Sequence, residues 1–287
     1  MPISKTVLPR LQNSNNMSLR VLVVIAHPDD ELFVSGTIAL LAERGFELDL
    51  VCLTDGGAGS SDLLLNARVG CLDRLREKEL RCSAEMLGIE RVWMLGYKDA
   101  GSELGLESRR DSVSIVDRLR ECLEKMNPAA VITHGSKGGY GHPAHLLLHQ
   151  AVLAAVKLFR GRVDVYSFAA AIPNAFFSWH FDDRATVVVD VSEFVEQRAA
   201  ALNYHQSQKD YFLQPYYPKT FRKLASAAVG YITCFKEYGR QRIPIHTAER
   251  FFALFRYEGL CLHIVGCDQK KPFFERHFED DSRFKIS

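Results

Sequence analysis

The chain has 287 residues, and its 36 lysines and arginines against 35 acidic residues give a formal net charge of +1. A chain of this length forms one large or two small domains and buries enough surface to fold without disulfide staples. The balanced charge argues against binding to nucleic acid or to an anionic membrane, both of which favour a broad basic surface, so a small-molecule substrate is expected.

The start of the chain and its cysteines bear on where the protein works. Residues 1–17 are polar and lack the apolar core of a secretory signal, so we interpret them as a disordered leader. The seven cysteines contain no Cys-x-x-Cys pair and are expected to be reduced thiols. No window of about 18 apolar residues occurs, so no membrane span is predicted. These features indicate a soluble, cytoplasmic protein.

Short runs rich in Val, Ile and Leu alternate with segments of helical period. The predicted strands are Arg20–Ala26, Glu47–Leu53, Arg91–Leu95, Ala129–Thr133 and Val163–Phe168. The predicted helices are Leu32–Arg44, Leu72–Leu87, Ser112–Met126 and Pro143–Phe159. This alternation predicts an α/β fold: a three-layer, doubly wound, mostly parallel, Rossmann-like sheet.

The later part of the chain is less regular. A further strand at Thr186–Val191 and a helix at Ser192–Tyr204 are predicted, the helix capped by Ser192. Residues 209–287 are expected to form an irregular C-terminal extension packed on the same domain, with aromatic residues and prolines near its start.

Imidazoles and carboxylates follow two of the predicted strands directly. The segment His27–Glu31 reads His-Pro-Asp-Asp-Glu after the first strand, and Gly141–His145 reads Gly-His-Pro-Ala-His after the fourth. If these strands are neighbours, both segments line the crevice at the carboxyl ends of the strands, where open α/β sheets bind ligands. Capping of the following helix would explain either acid alone, but it does not explain both clusters together.

This pattern predicts a metal centre. Catalytic zinc takes three protein ligands and a water, and two histidines with one carboxylate are an established set. His27 and Asp30 can converge on one ion and His145 can supply the third ligand, which leaves Asp29 and His142 free. Spacing alone does not decide which of the two aspartates binds the metal. Iron(II) accepts the same ligands as zinc.

The two motifs resemble those of the zinc-dependent de-N-acetylases typified by N-acetylglucosaminyl-phosphatidylinositol de-N-acetylase and its relatives of mycothiol and bacillithiol biosynthesis. Ala26–Glu31 is similar to the first family signature, and Gly139–His145 to the second, with alanine at position 144 where an acidic or polar residue is usual. Weaker similarities lie at Arg76–Leu80, Leu95–Asp99 and His205–Gln208. The resemblance covers roughly residues 20 to 208 and implies a catalytic domain over 18–208.

The resemblance also implies roles for the motif residues. It makes His27, Asp30 and His145 the metal ligands, Asp29 the general base, and His142 the acid or the oxyanion partner. Three further residues are implied at the substrate: Tyr140 at the tetrahedral intermediate, and Arg76 and Asp99 in contact with the substrate.

For several other polar and aromatic residues, the sequence allows both a functional and a purely structural interpretation. His134 could hold a ligand from behind or only end its strand, and Thr54–Gly59 is expected to form a rim of the pocket. Arg109 and Arg110 are expected to be solvated surface rather than an anion site. An aromatic group could stack on a sugar or belong to the core: Phe176, Phe177, Trp179 and His180.

Together these observations predict a zinc hydrolase that removes the acetyl group from an N-acetylglucosamine-type amino sugar or a conjugate carrying one. Two alternatives stay open: an amidase that cleaves a larger amide conjugate, and a non-catalytic module in which zinc braces the pocket with four protein ligands. A dinucleotide-dependent dehydrogenase is disfavoured, because His-Pro-Asp-Asp replaces the glycine fingerprint. The group attached to the sugar and the oligomeric state cannot be read from the sequence.

Overall fold

The structure is a computed structural model. It describes residues 20–59, 72–99, 114–170, 184–209, 212, 248–253, 255–264 and 271–286. The predictions for residues 1–17, for Arg109 and Arg110, for the aromatic group at 176–180 and for most of the segment 209–247 lie outside these residues. Among the described residues, no helix is both long enough and apolar enough to cross a membrane.

Five strands pair side by side in parallel. In chain order they are β1 (Arg20–Ile25), β2 (Glu47–Thr54), β3 (Arg91–Tyr97), β4 (Ala130–Thr133) and β5 (Asp164–Ser167). Their spatial order is β3-β2-β1-β4-β5, so β1 lies between β2 and β4. Crossover helices on both faces of the sheet make this the predicted doubly wound arrangement.

The helices that connect these strands are amphipathic or buried. They are α1 (Ser35–Glu43), α2 (Leu72–Leu87), α3 (Ile115–Met126), the single turn α4 (Gly138–Gly141) and α5 (Pro143–Leu158). A 3-10 turn at Asp30–Val34 precedes α1. Ser114 caps α3 by accepting a hydrogen bond from the Asp117 backbone N–H, which the first turn of a helix otherwise leaves unpaired.

The core consists of two layers, one on each face of the sheet. Alternate residues of β1 point into opposite layers: Val21, Val23 and Ile25 pack with α1 and α2, whereas Leu22 and Val24 pack with α3 and α5. Side chains of a strand alternate between the two faces, so a strand covered by helices on both faces is apolar throughout.

The C-terminal part of the chain completes the sheet. It contributes α6 (Val195–Tyr204), α7 (Ala248–Ala253) and α8 (Phe273–Phe278), and three strands: β6 (Val187–Asp190), β7 (Tyr257–Ile264) and β8 (Phe284–Ile286). β7 pairs antiparallel with β5 and with β6, and β8 adds to β6. β6 and α6 lie at the strand and helix predicted for Thr186–Val191 and Ser192–Tyr204, although α6 begins only at Val195 and Ser192 does not cap it. Within the extension 209–287, the described residues include two strands and two helices, β7, β8, α7 and α8, where the sequence predicted irregular structure, because strand pairing over such distances leaves no local pattern.

Candidate metal centre and active site

The two motifs follow the carboxyl ends of two neighbouring strands, β1 and β4. β1 and β4 are parallel neighbours, with Val21 opposite Ala130 and Val24 opposite Thr133. The chain leaves β1 into His27–Glu31 and leaves β4 towards α4 and α5. The strand order that brings the two motifs together is therefore confirmed.

The three predicted metal ligands lie in mutual contact. His27 Nδ1 is 3.2 Å from His145 Nε2 and 3.3 Å from Asp30 Oδ2, and His145 Nε2 is 3.3 Å from Asp30 Oδ1. The side chains are at most 8 % exposed. Two ring nitrogens and a carboxylate that converge in a buried space form a donor set of the kind that binds zinc or iron(II).

Contacts with the backbone fix the orientation of two of these side chains, His145 and Asp30. His145 Nδ1 contacts the Gly138 carbonyl at 3.2 Å and can donate its proton there, which leaves Nε2 as the lone-pair donor. The His27 backbone N–H donates to Asp30 Oδ2 at 2.7 Å. Burial by itself raises the pKa of Asp30, but His145 and His134 outweigh it and hold that pKa well below its usual range. These features fit a bound cation.

Two further sets of donors overlap the first. His27, His142 and His145 also bring ligand atoms within 4.8 Å of one another, as do Asp30, His134 and His145. His134 is stacked on His145 with ring centroids 3.9 Å apart, and its Nε2 accepts a hydrogen bond from the Ala26 N–H at 3.1 Å. The same His134 Nε2 is 3.3 Å from Asp30 Oδ2, so His134 contacts two of the predicted ligands while its lone pair accepts from Ala26.

His142 occupies the start of α5. Its Nδ1 accepts a hydrogen bond from the Ala144 backbone N–H at 3.2 Å, so a neutral ring carries its proton on Nε2. The ring centroid lies 4.7 Å from that of His27 and 4.8 Å from that of His145. Burial lowers the pKa of His142 to about 4, and the neighbouring His27 and His145 add to the shift. At neutral pH the ring is thus an uncharged hydrogen-bond donor.

Asp29 has an unusual backbone and a buried counter-ion. Its φ of 118° lies in the region that L-residues rarely adopt, a conformation that costs roughly 1–3 kcal/mol. Its Oδ2 lies 3.0 Å from the Arg76 guanidinium, with the side chains 15 % and 4 % exposed. Burial raises the pKa of Asp29 to about 6 although Arg76 opposes the shift.

Arg76 and Asp99 differ in their surroundings. The Arg76 guanidinium donates to the carbonyls of Pro28 and Gly56 at 2.5 and 2.7 Å as well as pairing with Asp29. Asp99 Oδ1 is 3.7 Å from His27 Nε2, an atom without a hydrogen-bond partner among the described residues. Arg76 is thus enclosed by the chain, and Asp99 lies beside a predicted ligand.

The backbone of Tyr140 is in α4, and the position of its side chain lies outside what the structure describes. The substrate roles of Tyr140, Arg76 and Asp99 stay predictions.

A buried polar network was not foreseen from the sequence. Glu31 is fully buried and contacts His205 at 2.5 Å and Ser83 at 2.7 Å. Glu79 accepts from the backbone N–H and the hydroxyl of Ser207. Glu31 and Glu79 lie in the similarities at Ala26–Glu31 and Arg76–Leu80, and His205 and Ser207 lie in the similarity at His205–Gln208. None of these similarities revealed which of the residues contact one another.

The fold and the site together define an α/β protein with a cluster of imidazoles and carboxylates at the carboxyl edge of a parallel sheet. The profile of the PIG-L family, described as GlcNAc-PI de-N-acetylase, matches residues 22–156. The chain is 30% identical over 214 residues to a probable N-acetyl-alpha-D-glucosaminyl L-malate deacetylase 2 of Bacillus cereus, covering 73% of this chain and 93% of that relative. The chain belongs to the PIG-L family, and its relatives are named as deacetylases, which are hydrolases.

Solved structures share the fold. The N,N'-diacetylchitobiose deacetylase of Pyrococcus horikoshii matches with a TM-score of 0.58 and 21% identity, covering 92% of this chain and 88% of that one. The 4-carboxy-2-hydroxymuconate hydratase GalB of Pseudomonas putida matches with a TM-score of 0.59 and 20% identity, covering 89% and 100%. Because one of these enzymes is a hydratase, the fold alone does not specify the reaction.

Proposed function

We propose that the protein is a zinc-dependent N-deacetylase that hydrolyses the acetamide of an N-acetylglucosamine-type sugar carried on a small conjugate. The main support is that His27 Nδ1, His145 Nε2 and the Asp30 carboxylate lie within 3.3 Å of one another. Asp29 does not join this group and pairs with Arg76. The proposal assigns His27, Asp30 and His145 as ligands and keeps Asp29 for proton transfer.

Amide hydrolysis requires an activated water, a stabilised oxyanion and a proton for the departing amine. When bound, the divalent cation supplies Lewis acidity, which lowers the pKa of water and polarises the amide carbonyl. Asp29 accepts the proton of the attacking water. A carboxyl group whose pKa is raised to about 6 is suited to carry that proton and return it to the amine.

His142 is assigned as the oxyanion partner rather than the acid. A ring whose pKa is about 4 is neutral at pH 7, so it has no extra proton to give to the amine. Its Nε2–H, set by the hydrogen bond to Nδ1, can instead donate to the negative oxygen that develops in the transition state. Tyr140 is proposed to share this task, and Asp99 to bind the sugar.

Arg76 is proposed to orient Asp29. Its guanidinium is 4 % exposed and holds the Asp29 carboxylate at 3.0 Å, which fixes the direction of the base.

Iron(II) is the alternative metal, because imidazole and carboxylate ligands accept either ion. We also propose a reducing, cytoplasmic setting, in which the thiols of the described cysteines, Cys52, Cys82, Cys122 and Cys261, stay free.

The proposal is tested by incubating zinc-loaded protein with a panel of α-linked N-acetylglucosamine conjugates and measuring free acetate and free amine. We expect equal amounts of both, and none after chelation. Amine released together with a different acid would favour the larger-amide alternative. Stoichiometric zinc without turnover of any amide would favour the binding module.

A further inference from the structure

Glu31 lies at the centre of a hydrogen-bonded network that includes the backbone of Asp29. Its Oε1 is 2.5 Å from His205 Nε2 and accepts from Ser83 Oγ at 2.7 Å. Its Oε2 accepts from the backbone N–H of Asp29 at 3.1 Å. One fully buried carboxylate therefore links His205 to the peptide of the proposed base.

A buried carboxylate is costly unless hydrogen bonds and charges compensate for its lost hydration. Glu31 is directly next to a predicted metal ligand, Asp30, but the proposed ligand set does not include it. Instead, Glu31 accepts a hydrogen bond from the backbone N–H of Asp29. Asp29 is the one residue of His27–Glu31 with a left-handed φ, 118°. Such a conformation persists only where the surrounding structure holds it.

His205 holds Glu31 from a distant part of the chain. It follows the C-terminal end of α6 and is fully buried. Its Nε2–H can donate to Glu31 in the neutral ring and in the charged ring alike, so the contact does not depend on protonation.

We infer that Glu31 and His205 are positioning residues that hold the Asp29 backbone in its left-handed conformation and thereby orient the carboxylate that pairs with Arg76. The inference rests on the proposed function, because it assumes that Asp29 is the base. Neither residue is assigned a contact with the substrate. Their effect passes through the peptide of Asp29.

The same motif provides a matched control. Ser207 is two residues from His205, is similarly buried at 5 % exposed, and donates to a buried acid at a similar distance, 2.5 Å to Glu79 Oε2. None of the contacts described for Ser207 or Glu79 involves Asp29. Ser207→Ala therefore disturbs the same region without loosening the peptide of the base.

The variants separate positioning from general damage. A displacement of the base by about 1 Å can lower a rate by about 100-fold, so we expect His205→Ala to lower kcat by about 10- to 100-fold with KM and zinc stoichiometry unchanged. His205→Gln retains a donor towards Glu31 and should recover most of this loss. Ser207→Ala should stay within about threefold of wild type in kcat.

A second measurement needs no substrate. Hydrogen exchange of the Asp29 amide should become at least about tenfold faster in His205→Ala and in Glu31→Gln, because the acceptor is displaced or loses an oxygen, and should not change in Ser207→Ala. Faster exchange together with a selective fall in kcat is the expected result.

Unchanged exchange at Asp29 in His205→Ala would overturn the inference. So would equal losses of kcat in His205→Ala and Ser207→Ala, or a loss that appears only as weaker zinc binding. If wild-type protein releases acetate from none of the conjugates, the proposed function fails, and the exchange data still decide whether Glu31 and His205 hold this peptide.

Discussion

Replacing Asp29 by asparagine should stabilise the metal-free protein while it removes activity. The pKa of the buried carboxyl is raised from 3.8 to about 6, mainly by burial, and Arg76 offsets only part of that effect. In the folded protein the ionised form is therefore disfavoured relative to the unfolded chain. Asparagine keeps the shape of the side chain and carries no charge. Its amide oxygen can still accept from Arg76, which also keeps its hydrogen bonds to the Pro28 and Gly56 carbonyls.

The magnitude follows from linkage. A shift of about two pKa units corresponds to about 3 kcal/mol, at 1.36 kcal/mol per unit. Between pH 3.8 and 6 the folded protein binds the extra proton, so this group lowers the free energy of unfolding as the pH rises, and the loss is complete above about pH 6. At pH 7 the Asp29→Asn protein should be more stable by up to about 3 kcal/mol, and below pH 4 the difference should vanish.

The assay is thermal unfolding of both proteins in chelator at pH 7 and at pH 4, together with kcat of the zinc-loaded forms. We expect a Tm several degrees higher for the variant at pH 7 only, and a kcat lower by about 10²–10⁴-fold. If the Tm of the variant exceeds that of wild type by no more at pH 7 than at pH 4, the burial argument is refuted. A kcat within a fewfold of wild type would refute the role of Asp29 as base.

Three further predictions concern the ligands, the pH profile and the C-terminal strands. His145→Ala should abolish stoichiometric zinc binding, whereas His149→Ala, one turn further along α5 and also buried, should retain it in the same titration. At saturating zinc, kcat/KM should fall with decreasing pH only at or below about pH 6, where Asp29 becomes protonated, because a nearby cation can only lower the pKa of Asp29. A fall in kcat/KM that already begins above pH 7 would mean that a group other than Asp29 is the base. Glu258→Ala leaves Arg198 buried without its carboxylate at 3.0 Å and should cost about 3–5 kcal/mol in chemical denaturation. The control, Asp190→Ala, removes a pair with the exposed Arg256 and should cost less than about 1 kcal/mol; equal losses would contradict the account.

The parallel half of the fold and the place of the metal centre could be predicted because their signals are local. Buried strands such as Arg20–Ile25 are continuous apolar runs, and the chemistry follows directly at the strand ends, in His27–Glu31. The neighbouring position of β1 and β4 was an assumption, and the register of Val21 with Ala130 confirms it.

The rest depended on contacts between distant residues. β7 pairs with β5 and β6, yet nothing in Tyr257–Ile264 specifies its partners. The pairing of Arg76 with Asp29 and of His205 with Glu31 likewise exists only after α2 and α6 have packed beside the motif. Sequence spacing can therefore locate candidate ligands, but it cannot identify the residues that orient them.

Anomalous diffraction at the zinc edge, from crystals of zinc-loaded protein, tests the proposed metal centre most directly. We expect one peak bonded to His27 Nδ1, His145 Nε2 and an Asp30 oxygen at about 2.0–2.2 Å, with Asp29 outside the coordination sphere. A peak held by His27, His142 and His145 with Asp30 excluded, or a peak bonded to Asp29, would contradict it.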